Sequence, residues 1–237
     1  MSDSETQGAQ APRTVAEVRE HLEAQLARAL LSPGMYGGEV VLDHMLGSLI
    51  WLNGLNIRVE DFFESCGAWS PIGVSGAFTR LFGGTAAAND SAMALAYADL
   101  AWSIGCWSPD RFVDRETYDR IRADAPAWAS ADRLVADVLA DFGTPSVWRA
   151  TFNPRFPISF GYLAEDRALP IIAFDFFPLL AAEPDVRRIE GQEPSPLMLR
   201  NIRWRTNSLP DDLICTPFGA EMRAEEQKAA MKRRRGE

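Results

Sequence analysis

Histidine, lysine and cysteine are scarce in this chain. Its 237 residues hold only His21 and His44, lysine occurs only as Lys228 and Lys232 near the C-terminus, and there are three cysteines. Two histidines leave little room for imidazole chemistry. A nucleophile-elbow hydrolase needs G-x-S-x-G with its histidine later in the chain. The nearest segment, Gly73 to Ala77 (GVSGA), lacks the last glycine, and both histidines precede it. A His44–Ser75 pairing has chain order alone behind it. Cys66, Cys106 and Cys215 lie far apart with no C-x-x-C pair, which disfavours a disulfide scaffold or a cysteine zinc site. Cys66 and Cys106 stand beside aromatics rather than in the polar setting a nucleophilic thiolate needs. Buried free thiols are the expectation.

Other motifs are missing too. There is no H-E-x-x-H, no G-x-x-x-x-G-K-[ST] and no G-x-G-x-x-G, which removes a common zinc site and the two commonest phosphate cradles. Asp141 to Gly143 reads DFG, without the H-R-D loop that accompanies that tripeptide in kinases. Asp43 and His44 are adjacent, so on a helix they point to different sides. Asp61 and Glu64 share a helix face but have no third ligand nearby. No metal and no cofactor are expected. The first dozen residues are polar and acidic, unlike a signal peptide, and residues 1–12 read as a disordered leader. The longest apolar run, Val40 to Ile57, contains Asp43, His44 and Asn53, a mixture that few membrane spans tolerate. These features predict a soluble cytoplasmic protein.

What the chain does have is acidic charge, an apolar fraction of 47% and seven tryptophans. Its 24 Lys+Arg against 33 Asp+Glu give a formal charge of −9, which opposes a duplex nucleic-acid binder. Arginine in place of lysine, with many alanines, suits a GC-rich bacterial coding sequence. The halves differ. Residues 1–143 hold 10 basic and 20 acidic residues, and residues 144–237 hold 14 and 13.

Periodicity gives an α+β fold class: an N-terminal helical region of about seven helices and a C-terminal antiparallel sheet of four to five strands. Thr14 to Glu17 is a capping box, and apolar spacing from Val15 predicts a helix over 15–31. Pro33-Gly34 stops it. Further helices are predicted over 39–53, 59–66, 71–82, from Asn89/Asp90 onward, and over 115–124 and 130–142. In the last of these, Leu134, Val135, Val138 and Leu139 are expected core positions. After Gly143 the period becomes strand-like. Residues 146–152 alternate, two apolar runs flank Ala164 to Ala168 as a hairpin, and two weaker strands surround 207–212. Prolines 157, 170 and 178 fall at strand ends. Residues 181–196 read as a loop and 219–237 as a polar helical tail. The boundaries are 13–143, 144–218 and 219–237, with 13–218 one compact unit.

The segment Pro33 to Gly38 (PGMYGG) locally resembles the R-P-G-M-Y-I-G stretch before the first helix in the ATPase domains of type II topoisomerases. In that family the next helix carries a Glu, an Asn and an Asp. Here no carboxylate follows Asp43, Asn53 lies at the helix end, and the later D-x-G-x-G is absent. The likeness covers six residues and implies no activity for this chain. A joint between two helices is the expectation, with Gly37 and Gly38 supplying the backbone angles.

Helical spacing places Val40, His44, Gly47, Ser48 and Trp51 on one side of the second helix. Small residues between a histidine and a tryptophan leave either a groove or room for close helix packing. The bland expectation is a core histidine beneath a neighbouring helix. The functional one is a ligand-facing imidazole with Trp51 as a stacking wall, and Tyr36 and Asp61 nearby. In the second half, Arg149, Arg203, Arg205 and Trp204 are interface candidates. Strand-flanking arginines are more often the solvated face of an alternating strand. The same strands, with Trp148, have the chemistry of a single-strand RNA platform, which the total charge opposes.

These features predict a non-catalytic bacterial cytoplasmic protein that acts by binding another protein, a basic one given the acidic half. A toxin-neutralising immunity protein or an accessory subunit of a complex fits. The alternative is a small-molecule enzyme or sensor with a pocket around His44 and Trp51.

Overall fold

The computed structural model describes residues 14–83, 89–149, 157–179, 196–204 and 213–235. The expected leader, nearly all of the 181–196 loop and Arg205 lie outside them. The described residues form eight α-helices and a five-stranded antiparallel sheet, the α+β arrangement that the periodicity predicts.

Helix α1 (Val15–Leu31) starts at its capping box, where the Glu17 amide donates to Thr14 Oγ1 and the Thr14 amide to the Glu17 carboxylate. A 3₁₀ turn at Pro33–Met35 leads to α2 (Glu39–Leu52). Then come α3 (Val59–Ser65), α4 (Gly73–Phe82), α5 (Asp90–Ser103), α6 (Arg115–Trp128) and α7 (Val135–Phe142). Helices α6 and α7 differ most from expectation. Helix α6 runs on to Trp128 with Pro126 in its last turn, where a missing N–H breaks only one bond of the ladder. Helix α7 begins late because Leu134 is extended: its amide is held by the Asp137 carboxylate at 2.7 Å and it bridges to Met198. Leu134 is 41% exposed rather than a core residue, whereas Val138 is fully buried.

The sheet follows chain order: β1 (Val147–Arg149), β2 (Ile158–Tyr162), β3 (Ile172–Pro178), β4 (Leu197–Arg203) and β5 (Ile214–Cys215). Helix α8 (Pro217–Arg235) follows, two residues earlier than periodicity suggests. Buried Thr216 accepts from the Gly219 amide at 3.1 Å and Pro217 takes the first helical position, where its lacking N–H costs nothing.

Helices cover both faces of the sheet. Phe160, Tyr162, Phe174, Phe176, Leu199 and Ile202 pack with α6 and α7, and α5 lies on the other face with Ser91 to Trp102 all buried. Each large apolar side chain so buried contributes about 1.5–3 kcal/mol. Gly161 lets α5 approach, since a Cβ there would sit 2.9 Å from Leu95 Cδ1.

This double covering corrects the expectation of solvated strand arginines. Arg149, Arg200 and Arg203 are 5%, 2% and 6% exposed. With helices on both sides there is no open face for them, so strand β1 buries Val147 and Arg149 and leaves Trp148 half exposed. In β4 a β-bulge adds to the effect. Asp175 pairs with Asn201 but Phe176 pairs with Leu199, leaving Arg200 as the extra residue. The bulge lets Arg200, Asn201 and Arg203 all serve the α5 side, while Leu199 and Ile202 stay in the opposite core.

Candidate functional site: an open groove beside Trp51

Helix α2 buries Leu42, Leu46, Leu49 and Ile50. Its other side, Val40, His44, Gly47, Ser48 and Trp51, faces solvent. There α1 contributes Val18 and Leu22, and the stretch Ile57 to Glu60 closes the far wall. Together with Asp43, His44, Gly47, Ser48 and Trp51 they line a groove of about 750 Å³. Arg19 fastens the groove end by donating from Nη2 to the Leu52 carbonyl at 3.1 Å.

His44 is therefore not a core histidine; it is exposed on the groove. The physical reason lies one turn on. A Cβ added at Gly47 would meet nothing within 4 Å, so no neighbouring helix packs across the small residues. They leave the groove open. Trp51 is 78% exposed, an unusual burden for the largest apolar side chain. Tyr36 is 41% exposed in the turn before α2, and Asp61 is exposed on α3 in an ion pair with Arg58 at 3.7 Å. Neither lines the groove.

The titratable side chains lining the groove are Asp43, His44, Arg58 and Glu60. Burial pushes the Asp43 carboxyl above the usual carboxylate range; Glu39 and Glu60 add to this and His44 opposes it. Glu60 also pairs with Arg58. Glu39 itself is committed elsewhere. Its carboxylate accepts the amides of Val74 and Ser75 at the start of α4, and the Tyr97 hydroxyl at 3.2 Å. A Cβ on Gly73, whose φ is +82°, would overlap that carboxylate. The GVSGA segment is thus a helix N-terminus that holds an internal anion. The glycine pair before α2 is a joint: Gly37 and Gly38 have φ of 97° and 69°, and the amides of Tyr36 and Gly38 both bond to the Pro33 carbonyl.

The remaining sequence candidates do not converge. Arg149 and Arg203 are buried, and Trp204 is half buried beneath the Arg122 guanidinium. Trp148 and Arg149 point to opposite faces of β1, so they do not build one stacking platform. Burial pushes the Cys106 thiol up, away from the thiolate, and Asn53 Nδ2 donates to its sulfur at 3.4 Å. All three cysteines are free. Asp141 of the DFG tripeptide accepts from Trp128 Nε1 at 2.7 Å, a packing role. Among the described residues no three His, Cys, Asp or Glu side chains converge on a common metal position.

Sequence reasoning missed Val18, Leu22 and Ile57 to Glu60, because the first two come from α1 and the others depend on how the chain folds back after α2. The available signal was the Val18–Leu22 pair, one helical turn apart. Comparison with known protein families, with curated proteins and with solved structures found no match.

Proposed function

We propose that this chain is a non-catalytic protein-binding module of the bacterial cytoplasm, and that the groove beside Trp51 receives a basic segment of a partner protein. A toxin-neutralising immunity protein and an accessory subunit of a complex both work this way. The observation that carries the reading is Trp51, 78% exposed at the edge of a groove holding Asp43 and Glu60. Exposed tryptophan is a favoured interface anchor, and carboxylates around it steer a cationic partner. Small-molecule sites enclose most of their ligand. This groove instead leaves His44, Gly47, Ser48 and Trp51 all facing water, which favours a chain segment over a metabolite. The cytoplasmic assignment is supported by three free thiols. Among the described residues, no helix is long and apolar enough to cross a membrane.

Capture from the native host at low salt, followed by native mass spectrometry, tests the proposal. A basic partner released by salt is expected. Capture that returns no protein at low salt, or a retained small molecule instead, overturns it. Once the partner is known, Trp51→Ala is expected to weaken the complex by about 2 kcal/mol, roughly 30-fold. Its circular dichroism and melting should stay unchanged, because the side chain is exposed. Undiminished affinity of that variant would remove the groove from the interface.

Asp43 gives a second test with a defined sign. Its folded pKa lies above the unfolded one, so the stability this group contributes exists at acid pH and is lost as pH rises through the folded pKa. Asp43→Asn is therefore expected to raise the melting temperature at pH 7, to change it little at acid pH, and to slow association with the basic partner. A lower melting point at pH 7 would contradict this account of Asp43.

A further inference from the structure

Three buried arginines serve the α5 side of the sheet, and two of them have their anion. Arg203 Nε lies 2.7 Å from Asp175 Oδ2, and Arg200 Nη2 lies 2.6 Å from Glu226 Oε2. The third, Arg149, is as deeply buried at 5% exposure. Its guanidinium lies 5.6 Å from the centre of the Trp107 ring. Among the described residues it has no hydrogen bond and no ion pair, and its Nε is fully buried without a partner. The cross-strand neighbour is Ser159, whose hydroxyl is already engaged with Asp175 and Ser91. Asp110, exposed in the segment before α6, acts on Arg149 only through space, while burial pulls the guanidinium down to about 10.

We propose that Arg149 is the cationic centre of an anion-binding site, with the Trp107 ring as one wall, for a small ligand that bears a carboxylate or phosphate group. A guanidinium is the group best shaped to grip such an oxyanion through two parallel N–H bonds. A buried cation without a counter-charge destabilises the fold. Arg200 and Arg203 show how this chain answers that problem where the answer is structural: a carboxylate of its own. At Arg149 the described residues supply no paired carboxylate, only the through-space charge of Asp110. Among the described residues β1 is the edge strand of the sheet, so Arg149 is carried on the outermost strand, where a ligand can supply the missing charge. This site is distinct from the groove beside Trp51 and does not depend on the proposal made for it.

The test compares wild type with Arg149→Met, which keeps an unbranched apolar stem and removes the guanidinium with its charge. Melting is followed in phosphate, in acetate and in chloride at one ionic strength. Wild type is expected to melt about 5–10 °C higher at a hundredfold excess of the matching anion over its Kd. The variant should melt above wild type in chloride and gain nothing specific from either anion. General salting effects act on both proteins and cancel in the difference. A response to phosphate alone assigns a phosphorylated ligand, and a response to acetate assigns a carboxylate. If the variant melts lower in chloride and neither anion distinguishes the two proteins, Arg149 is a packing residue and the proposal fails. Should Arg149→Met not fold, the ¹⁵Nε resonance of Arg149 in wild type gives the answer. A saturable shift with phosphate or acetate supports the site, and an unmoved resonance overturns it.

Discussion

Asp175→Ala is expected to lower the stability of this protein by about 3–5 kcal/mol, a large share of the roughly 5–15 kcal/mol that holds a typical domain together. Asp175 is 1% exposed and accepts four hydrogen bonds. They come from Ser159 Oγ at 2.7 Å, Asn201 Nδ2 at 2.8 Å, and Arg203 Nε and Nη2 at 2.7 and 3.3 Å. Without the carboxylate, Arg203 keeps the Ala92 carbonyl at 3.0 Å and a place against the Phe78 ring. Its charge stays buried without the carboxylate that balances it. Urea unfolding should show a lower midpoint at an unchanged slope. The pair itself need not be a net stabiliser, because desolvating two ions offsets most of their attraction. Asp175→Leu combined with Arg203→Met is therefore expected to recover much of the loss. A single-variant loss below about 1 kcal/mol would mean that water reaches Arg203, contrary to its burial.

The second large effect is expected at Arg200. This side chain is 2% exposed, donates to the Phe82 carbonyl at 2.8 Å, and grips Glu226 of α8 at 3.0 and 2.6 Å. It lies between the rings of Phe82 and Phe177, 5.0 and 4.7 Å from their centres. One residue thereby joins the end of α4, the sheet and α8. The helix rests directly on the strand: a Cβ at Gly219 would come 1.8 Å from the Arg200 carbonyl oxygen. Arg200→Ala is expected to cost about 3–5 kcal/mol and to release α8 ahead of the rest, which hydrogen exchange would record as early loss of protection in residues 217–226. Burial already raises the Glu226 pKa and Arg200 holds it back. Without the arginine that carboxyl rises further, so Glu226→Gln should restore part of the stability of the Arg200 variant at neutral pH. Unchanged exchange in α8 would show that Phe218 and Met222, packed against the core, suffice to hold the helix.

How much of this was legible in the sequence depends on how local each signal is. The start of α1 follows from Thr14 and Glu17, three residues apart, and the β2–β3 hairpin from two apolar runs about a turn. The stripe His44, Gly47, Ser48 and Trp51 follows from helical spacing. Whether that stripe meets water or another helix does not, because the answer lies in what packs across Gly47. Tyr36 and Asp61 fall outside the groove although Glu60, next to Asp61, lines it, and Val18 enters it from α1 through tertiary packing. The burial of the strand arginines is hidden in the sequence for a related reason. Alternation along β1 says that two faces differ; it does not say that α6 and α7 cover one and α5 the other. Asp175 carried a usable sign. An acidic residue inside the run Ile171 to Phe177 demands buried partners, and Ser159, Asn201 and Arg203 supply them.

The strand order has a kinetic consequence. Each strand pairs with its neighbour in the chain, so the sheet can grow hairpin by hairpin, through contacts of low sequence separation that close early. Helix α5 precedes every strand and packs against β1, β2 and β3, so its docking joins distant parts of the chain. That same step strips water from Asp175 and Arg203. The late barrier of folding should then lie where α5 meets the sheet. Changes to Ala92, Leu95 or Gly161 would be felt mainly in the speed of that docking, and changes within the β2–β3 turn in the steps before it.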